Sequence, residues 1–293
     1  ENDLANALAE NVIQGAAIDV YAKEPLAENS PLRAVKKGLV LTPHLGASTV
    51  EAQQNVAIDF AEQIRDVLLG LPARSDVNIP GLRAEIMDSL KPHLKLAETL
   101  GLLVSQISGG QIQKLEVRLQ GEFAQHPSQP LVIATLKGLL TSALGDKINY
   151  VNASLEAKGR GIDVVEIKDE LCPEFARGSL QLDSFSDKGG HSVSGTVFGD
   201  GDLGITSIDE YPINFVPSRH MLFTRHRDMP GIIGQIGSLL GKYNVNIASM
   251  QVGRRIVRGE AVMVLSIDDP IPSELLGSIL SMQGINEAHS VTL

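Results

Sequence analysis

The pattern of apolar and turn residues over 219–293 constrains the fold more than any other feature of this sequence. An apolar strand, "HMLFTRHRD", runs into a turn at Met229-Pro230-Gly231, and "IIGQIGSLLGKYN" then has the spacing of an amphipathic helix. Two strands, a helix and a last strand follow, in "VNIASMQVGRR", "EAVMVLSIDD", "PSELLGSILSMQ" and "INEAHSVTL". The order βαββαβ predicts a complete unit in which two helices cover one sheet.

Residues 1–72 have an α/β pattern. The first helix, "LANALAENVIQG", is predicted to end at Gly15, because glycine favours helix C-termini. Short buried strands are predicted at "AAIDVY" and "GLVLTP". Ser48 and Glu51 have the spacing of a capping box, so a long helix should begin there. That helix has an apolar stripe and should stop at Gly70 and Pro72; the stripe contains Val56, Phe60, Ile64 and Leu68.

The composition of "LPARSDVNIPGL", residues 71–82, is typical of a linker. A helical pattern over 82–106 follows, and after Gly109-Gly110 the pattern changes to strands with glycine turns. This combination predicts a second, α+β domain. The expected domains are therefore 1–72, 75–217 and 219–293.

The net charge and the cysteine content argue against several kinds of partner and site. The net charge is −10 with no long basic run, which argues against nucleic acid or an anionic membrane as partner. Cys172 is the only cysteine, so an intrachain disulfide and a Cys-rich metal cluster are both excluded. We expect a cytoplasmic protein without a metal site. The helical pattern begins at Glu1, which suggests a piece that starts within a domain.

Three polar residues near the two short strands are candidates for chemistry. His44 follows the strand "GLVLTP", at the kind of strand end where open α/β sheets place ligands, and it can exchange a proton near neutral pH. Glu24 follows the other strand and could orient His44; Asp19 lies within an apolar run, where a carboxylate is costly unless it is bonded. The structural alternatives are a loop histidine, a solvated glutamate and an aspartate that caps a turn.

A glycine motif elsewhere is rejected as a nucleotide site. "GDGDLG" has Gly199, Gly201 and Gly204 in G-x-G-x-x-G spacing, but no helix pattern follows it. The motif has meaning only where a strand passes into a helix. A glycine hairpin is predicted there instead.

Two motifs in order, "AAIDVYAKEP" and "VLTPHLGAST", resemble the end of the nucleotide-binding domain of the D-2-hydroxyacid dehydrogenases. The α+β middle region and the βαββαβ unit make the whole chain similar to the long members of that family. The resemblance implies a C-terminal piece of a Rossmann-type domain, an intervening allosteric-substrate-binding-like domain and an ACT domain. Other, shorter family members such as glyoxylate or hydroxypyruvate reductases are an alternative that the two extra domains disfavour.

The resemblance implies NAD as cofactor and hydride transfer from C2 of 3-phosphoglycerate to NAD, the first step of serine synthesis. His44 would be the acid-base, Glu24 would raise the pKa of His44, and Asp19 would orient the nicotinamide carboxamide. The nicotinamide side would be lined by His44, Leu45, Gly46 and Ala47. The family's glycine-rich loop and catalytic arginine match nothing in 1–293, so we expect no turnover by this chain alone, and NADH production by it would contradict that.

In the last unit, His226, Asp228, Gly231 and Asn246 could bind an amino-acid effector. Asp228 could pair with the ammonium group, and backbone N–H groups near Gly231 could bind the carboxylate. The resemblance implies L-serine, bound between two such units, and hence a homo-oligomer. The alternatives are that Asp228 caps the following helix, and that the chain is a non-catalytic amino-acid-binding or assembly module.

Some relatives bind anions through a basic cluster before the ACT strand. Here that stretch offers only Arg219, with Lys158 and Arg160 in a separate turn. We therefore expect no anion regulation, and phosphate binding that is lost in Arg160→Ala would contradict this.

Overall fold

The computed structural model describes residues 1–69, 75, 84–170, 178–199 and 201–293, with only the backbone for 84–89. It divides into two compact units, Glu1–Ala73 and Arg74–Leu293. None of the helices in these ranges is both long and apolar enough to cross a membrane. The expectations about the linker (apart from Ser75), the helix stop at Gly70 and Pro72, and Cys172 fall outside the described residues.

The first unit is built around two parallel strands. Its elements are α1 (Asn2–Ala9), β1 (Ala16–Ile18), a 3-10 helix (Pro31–Ala34), β2 (Leu39–Leu41) and α2 (Val50–Leu68). Ala16 lies opposite Leu39 and Ile18 opposite Leu41. Because the strands are parallel and in this register, both end at the same edge, and the loops that follow them meet there.

Two local predictions in this unit are wrong. The first helix ends at Ala9 and not at Gly15, because Asn11 adopts a left-handed backbone with φ 56° and turns the chain away. The long helix begins one residue later than the capping box predicts. Its N-cap is Thr49, whose hydroxyl accepts a hydrogen bond from the Ala52 amide at 3.1 Å.

The apolar stripe predicted on α2 exists but is not buried. No residue of α2 is buried in the described structure, and its large apolar side chains are exposed. The small core of the first unit comes instead from α1 and the 3-10 helix, through Ala5, Leu8 and Leu32.

The second unit begins with the α+β region. Its helices are α3 (Ala84–Ile107), α4 (Glu122–Gln125), α5 (Ser128–Leu144) and α6 (Ala153–Gly159). Its strands are β3 (Ile112–Gly121), β4 (Asp163–Asp169), β5 (Gly178–Ser186), β6 (Gly189–Val197), β7 (Leu203–Ile208) and β8 (Tyr211–Phe215). They form one sheet in the order β4-β3-β5-β6-β7-β8. The "GDGDLG" stretch joins the antiparallel neighbours β6 and β7, as the hairpin prediction requires.

The packing of α3 on α5 depends on glycine. A Cβ added to Gly138 would lie 2.0 Å from the carbonyl oxygen of Glu98, and one added to Gly101 would lie 2.1 Å from that of Thr135. The two helix backbones can therefore approach closely only because these positions lack side chains.

The βαββαβ prediction is confirmed. The elements are β9 (His220–Arg227), α7 (Ile232–Lys242), β10 (Ile247–Arg254), β11 (Glu260–Ile267), α8 (Ser273–Leu280) and β12 (Ile285–Thr292). They form an antiparallel sheet in the order β10-β11-β9-β12.

Both faces of the strands β9 and β11 are covered. One face packs on α7 and α8 through Leu222, Met263 and Leu265. Alternate residues of the same strands join the core of the α+β region; these are Met221, Phe223, Val262 and Val264. Strands that are buried on both faces have continuous apolar runs, which explains "AVMVLSI". The predicted boundary near residue 218 therefore lies inside one compact unit.

A charged cluster crosses the same junction. Asp209, in the turn between β7 and β8, accepts hydrogen bonds from the Ser192 amide at 3.0 Å and from the Arg225 guanidinium of β9. Its carboxylate also lies 3.1 Å from Nδ1 of His191. Burial alone would raise the pKa of Asp209, but His191, Ser192 and Arg225 together lower it. The carboxylate is therefore held ionised at the junction of the two sheets.

Candidate functional site

The edge where β1 and β2 end is organised by Asp19. This residue follows β1 directly and does not lie inside a strand as its apolar run predicts. Its carboxylate accepts hydrogen bonds from the Thr42 hydroxyl at 2.5 Å and from the amides of Leu45 and Gly46 at 2.7 and 2.8 Å. These bonds, that of Thr42 most of all, lower the pKa of Asp19. The ionised carboxylate of Asp19 thus caps the turn after β2 and fixes the conformation of that loop.

His44 projects from this loop toward Glu24. Its Nδ1 lies 2.8 Å from a carboxylate oxygen of Glu24, and the other oxygen accepts from the Tyr21 amide at 3.2 Å. The Glu24 carboxylate raises the pKa of His44, and the hydrogen bond with His44 lowers the pKa of Glu24. An Nδ1–H donated to Glu24 leaves Nε2 as the nitrogen that can take or give a proton.

The side chain of His44 is held by Glu24 but remains accessible to solvent. Its side chain is 55% exposed, and its backbone has φ 58°, a left-handed conformation that non-glycine residues rarely adopt. The bonds from the two following amides to Asp19 hold the loop in this conformation. Such local strain is commonly found at functional sites.

A cavity of about 480 Å³ opens beside the pair and is lined by Tyr21, Glu24, Arg33, Thr42 and His44, among others. The Arg33 guanidinium donates to the carbonyls of Leu26 and Ala27, so it is held in the wall. The cavity places an acid-base group, a carboxylate and a fixed cation around one space. Such a space suits a small polar ligand.

Two residues of this edge were missed from the sequence. The Tyr21 hydroxyl donates to the carbonyl of Thr42 at 2.7 Å, which ties the loops after β1 and β2 together, and Thr42 itself donates to Asp19. The available signal was a hydroxyl residue close behind each strand, since Thr42 directly follows β2 and Tyr21 lies three residues after β1. Gly46 is close to Asp19, since a Cβ there would lie 3.2 Å from a carboxylate oxygen.

The predicted effector residues are only partly brought together. Asp228 and Gly231 lie in the loop between β9 and α7, and His226 is buried near the end of β9. The Asp228 carboxylate accepts from Arg254 at 2.9 Å and from the Arg258 amide at 3.1 Å, and both bonds lower its pKa. It therefore binds the β10–β11 hairpin. The alternative that it caps α7 is wrong, because Gly231 is the N-cap and no side chain bonds there.

Asn246 lies at the other end of the sheet. Ile247 pairs with Ile267, which pairs with His220 at the start of β9, whereas Asp228 follows the end of that strand. At about 3.3 Å per residue the two ends are roughly 23 Å apart. The Asn246 amide instead donates to Asp268 at 2.7 Å. One copy of the chain does not assemble these four residues into one site.

Three family models match this chain. Residues 1–46 match the NAD binding domain of the D-isomer specific 2-hydroxyacid dehydrogenases. Residues 89–209 match the D-3-phosphoglycerate dehydrogenase intervening domain, and residues 220–283 match the ACT domain.

Curated proteins are similar over the whole chain. The D-3-phosphoglycerate dehydrogenase of Synechocystis is 58% identical over 294 residues, which cover 100% of this chain and 52% of that protein. Proteins of the same name from Methanocaldococcus jannaschii and Bacillus subtilis are 38% and 33% identical, again over 100% of the chain and 55% of each relative. The chain spans about half the length of the curated relatives it matches.

The edge of β1 and β2, the intervening domain and the ACT domain occur in the order typical of one class of NAD-binding dehydrogenase. Residues 1–46 are similar to the D-isomer specific 2-hydroxyacid dehydrogenases. Over its whole length the chain is similar to proteins named D-3-phosphoglycerate dehydrogenase.

Proposed function

We propose that this chain is part of a cytoplasmic D-3-phosphoglycerate dehydrogenase that oxidises 3-phosphoglycerate to 3-phosphohydroxypyruvate with NAD. The observation that carries the proposal is the 2.8 Å contact between His44 and Glu24, at the edge where two parallel strands end. The names of the relatives support the choice of substrate.

In this proposal Nε2 of His44 would accept the proton of the substrate 2-hydroxyl, and bound NAD would supply the hydride acceptor for C2. Glu24 holds the imidazole in the required tautomer and stabilises its protonated form. His44, Leu45, Gly46 and Ala47 would hold the nicotinamide side of NAD. Asp19 keeps the Leu45 and Gly46 amides in place and would orient the carboxamide.

The test joins the preceding half of the Synechocystis relative to residues 1–293 and measures NADH formation from 3-phosphoglycerate. His44→Asn should lower kcat by a factor of about 100 to 10,000 because the acid-base is lost. Glu24→Gln should lower kcat less and move the acidic limb of the pH profile to lower pH, since Glu24 raises the pKa of His44. Glu28→Gln, an exposed carboxylate in the same loop, is the matched control. Full activity of His44→Asn would refute the assignment.

We also propose that the ACT domain binds L-serine between two copies of the chain. His226, Asp228 and Gly231 of one copy would face Asn246 of the other, because one chain holds Asn246 roughly 23 Å away. β10 is an edge strand with exposed Met250 and Val252, a surface suited to such pairing. Bound serine would have to share the Asp228 carboxylate with Arg254.

This second proposal is tested by titrating L-serine calorimetrically into the full chain, with gel filtration to establish the oligomeric state. Asp228→Ala and Asn246→Ala should each abolish the heat. An equimolar mixture of the two variants should recover part of it, because a mixed dimer retains one intact site. If the mixture gives no binding heat while the wild type does, the site lies within one chain and the proposal is wrong.

A further inference from the structure

A second cluster of chemically active side chains lies in the intervening domain, away from the residues discussed above. His93 of α3, Glu122 at the start of α4 and His126 directly after α4 each offer one ligand atom, and these atoms all lie within 4.8 Å of one another. The imidazole rings of His93 and His126 have centroids 4.7 Å apart. Two imidazoles and a carboxylate converge at one point of the domain.

The local sequence explains this convergence. Glu122 and His126 are four residues apart, which places both on one side of the single turn of α4. Phe123 is buried, and its ring meets that of His93 edge to face at a centroid distance of 4.7 Å, so it anchors α4 beside α3. Pro127 restricts His126 to an extended backbone, which ends the turn there.

One atom of the cluster indicates a ligand. Nε2 of His126 is buried and has no hydrogen-bond partner among the described residues. A buried ring nitrogen without a partner costs free energy, and native structures rarely leave one unsatisfied. A bound cation that accepts its lone pair would remove this cost.

We propose that His93, Glu122 and His126 bind a zinc ion. Two histidines and one glutamate form a known zinc ligand set that leaves a fourth position for water, and Glu122 is exposed to solvent. Calcium and magnesium are disfavoured because they take oxygen ligands. Ligand atoms around tetrahedral zinc lie about 3.3 Å apart, given bonds of about 2.0 Å. The three ligand atoms, which lie within 4.8 Å of one another, would therefore have to draw closer on binding.

The ion would join α3 to α4 and the end of β3, so binding should stabilise the unit. The test is calorimetric titration of Zn²⁺ into the metal-free full chain, with thermal unfolding and the visible spectrum of Co²⁺ as independent readouts. The wild type should bind one equivalent, and its melting temperature should rise with free zinc. Co²⁺ should show absorption bands that Zn²⁺ abolishes by displacement.

His126→Gln and Glu122→Gln should each weaken zinc binding by more than about tenfold. Glu122→Gln changes an exposed side chain and keeps the fold, so it remains informative if His126→Gln unfolds. His220→Gln and Glu166→Gln, both outside the cluster, are matched controls and should bind as the wild type does. Absence of a saturable single site in the wild type, or equal affinity in all five proteins, would overturn the proposal.

Discussion

Helices α2 and α5 have similar lengths and opposite surroundings. α2 has 19 residues, none of them buried, and its apolar stripe is exposed. α5 has 17 residues and is apolar on most of its circumference, with Leu131, Ala134 and Leu139 among its buried side chains. The helix with the clearer amphipathic pattern is therefore the one without an apolar partner in the described structure.

The difference separates two sources of helix stability. α5 forms because α3 and the shared core of the unit cover it, and burial supplies the free energy. α2 depends on its own capping and helix propensity within these residues. The same contrast holds for the strands, since β11 is buried on both faces while β1 and β2 are only three residues long.

The largest expected effect is on the free energy of unfolding, and it should differ between a buried and an exposed phenylalanine. Phe223 of β9 is 1% exposed between the two sheets, and Phe60 of α2 is 64% exposed. Phe223→Ala should lower the free energy of unfolding by about 3–5 kcal/mol, because it leaves a cavity in the shared core. Phe60→Ala should change it by less than about 0.5 kcal/mol. Denaturant unfolding of both variants measures the difference.

Equal losses of unfolding free energy in the two variants would contradict this difference between α2 and the buried core. The same two substitutions can be made in the chimera that begins with the preceding half of the Synechocystis relative. If Phe60→Ala costs clearly more there than in residues 1–293, the stripe on α2 has found a partner in the longer chain.

The second effect concerns the charged cluster at the junction of the sheets. Asp209→Asn keeps a side chain that tolerates a left-handed backbone but removes the charge that holds His191 and Arg225. It should lower the free energy of unfolding by about 2 kcal/mol at pH 7. Asp183→Asn, a carboxylate in the same sheet, is the control.

The pH dependence of this loss follows from the lowered pKa of Asp209. A carboxyl with a folded pKa below its unfolded value of about 3.9 stabilises the fold above that value. The stabilisation is lost as the pH falls through the folded pKa. Stability curves of the wild type and Asp209→Asn should therefore converge in acid; a constant gap at all pH values would exclude a charge effect.

The smallest expected effect concerns the N-cap of α2, which is Thr49 and not Ser48. Thr49→Ala removes the hydroxyl that accepts from the Ala52 amide and should cost about 1 kcal/mol of helix stability. Ser48→Ala should cost almost nothing, although the sequence favours Ser48 as the cap. Helix content of the two variants, followed by circular dichroism on heating, distinguishes them. A larger loss in Ser48→Ala would restore the original prediction.

Much of the fold is predictable because its elements depend on local periodicity. The βαββαβ order, the helices α2 and α3 and the glycine hairpin were visible as spacing of apolar and turn residues. The segment of α5 left a strand end or a helix open, because it is apolar on most of its circumference. The wrong predictions concern the ends of helices. α1 ends early because Asn11 adopts a left-handed backbone, and neither the composition of this segment nor its apolar spacing predicts that conformation.

The candidate site was predicted less completely. The sequence indicated that Glu24 and His44 follow strands and placed Asp19 inside one, and the parallel register brings all three to one edge. It did not indicate that Thr42 and two amides would bind both oxygens of Asp19. For the effector residues the sequence suggested one cluster, whereas strand pairing separates Asn246 from Asp228.

The sequence by itself determined which segments become helices and strands, because apolar spacing and turn residues act over a few neighbouring positions. It also determined which side chains are able to carry chemistry. Only the tertiary structure decided which of them meet, because Asp19 and Thr42 are 23 positions apart and are joined through strand register. The same is true of burial: α2 and α5 both form helices, and only packing distinguishes the covered helix from the exposed one.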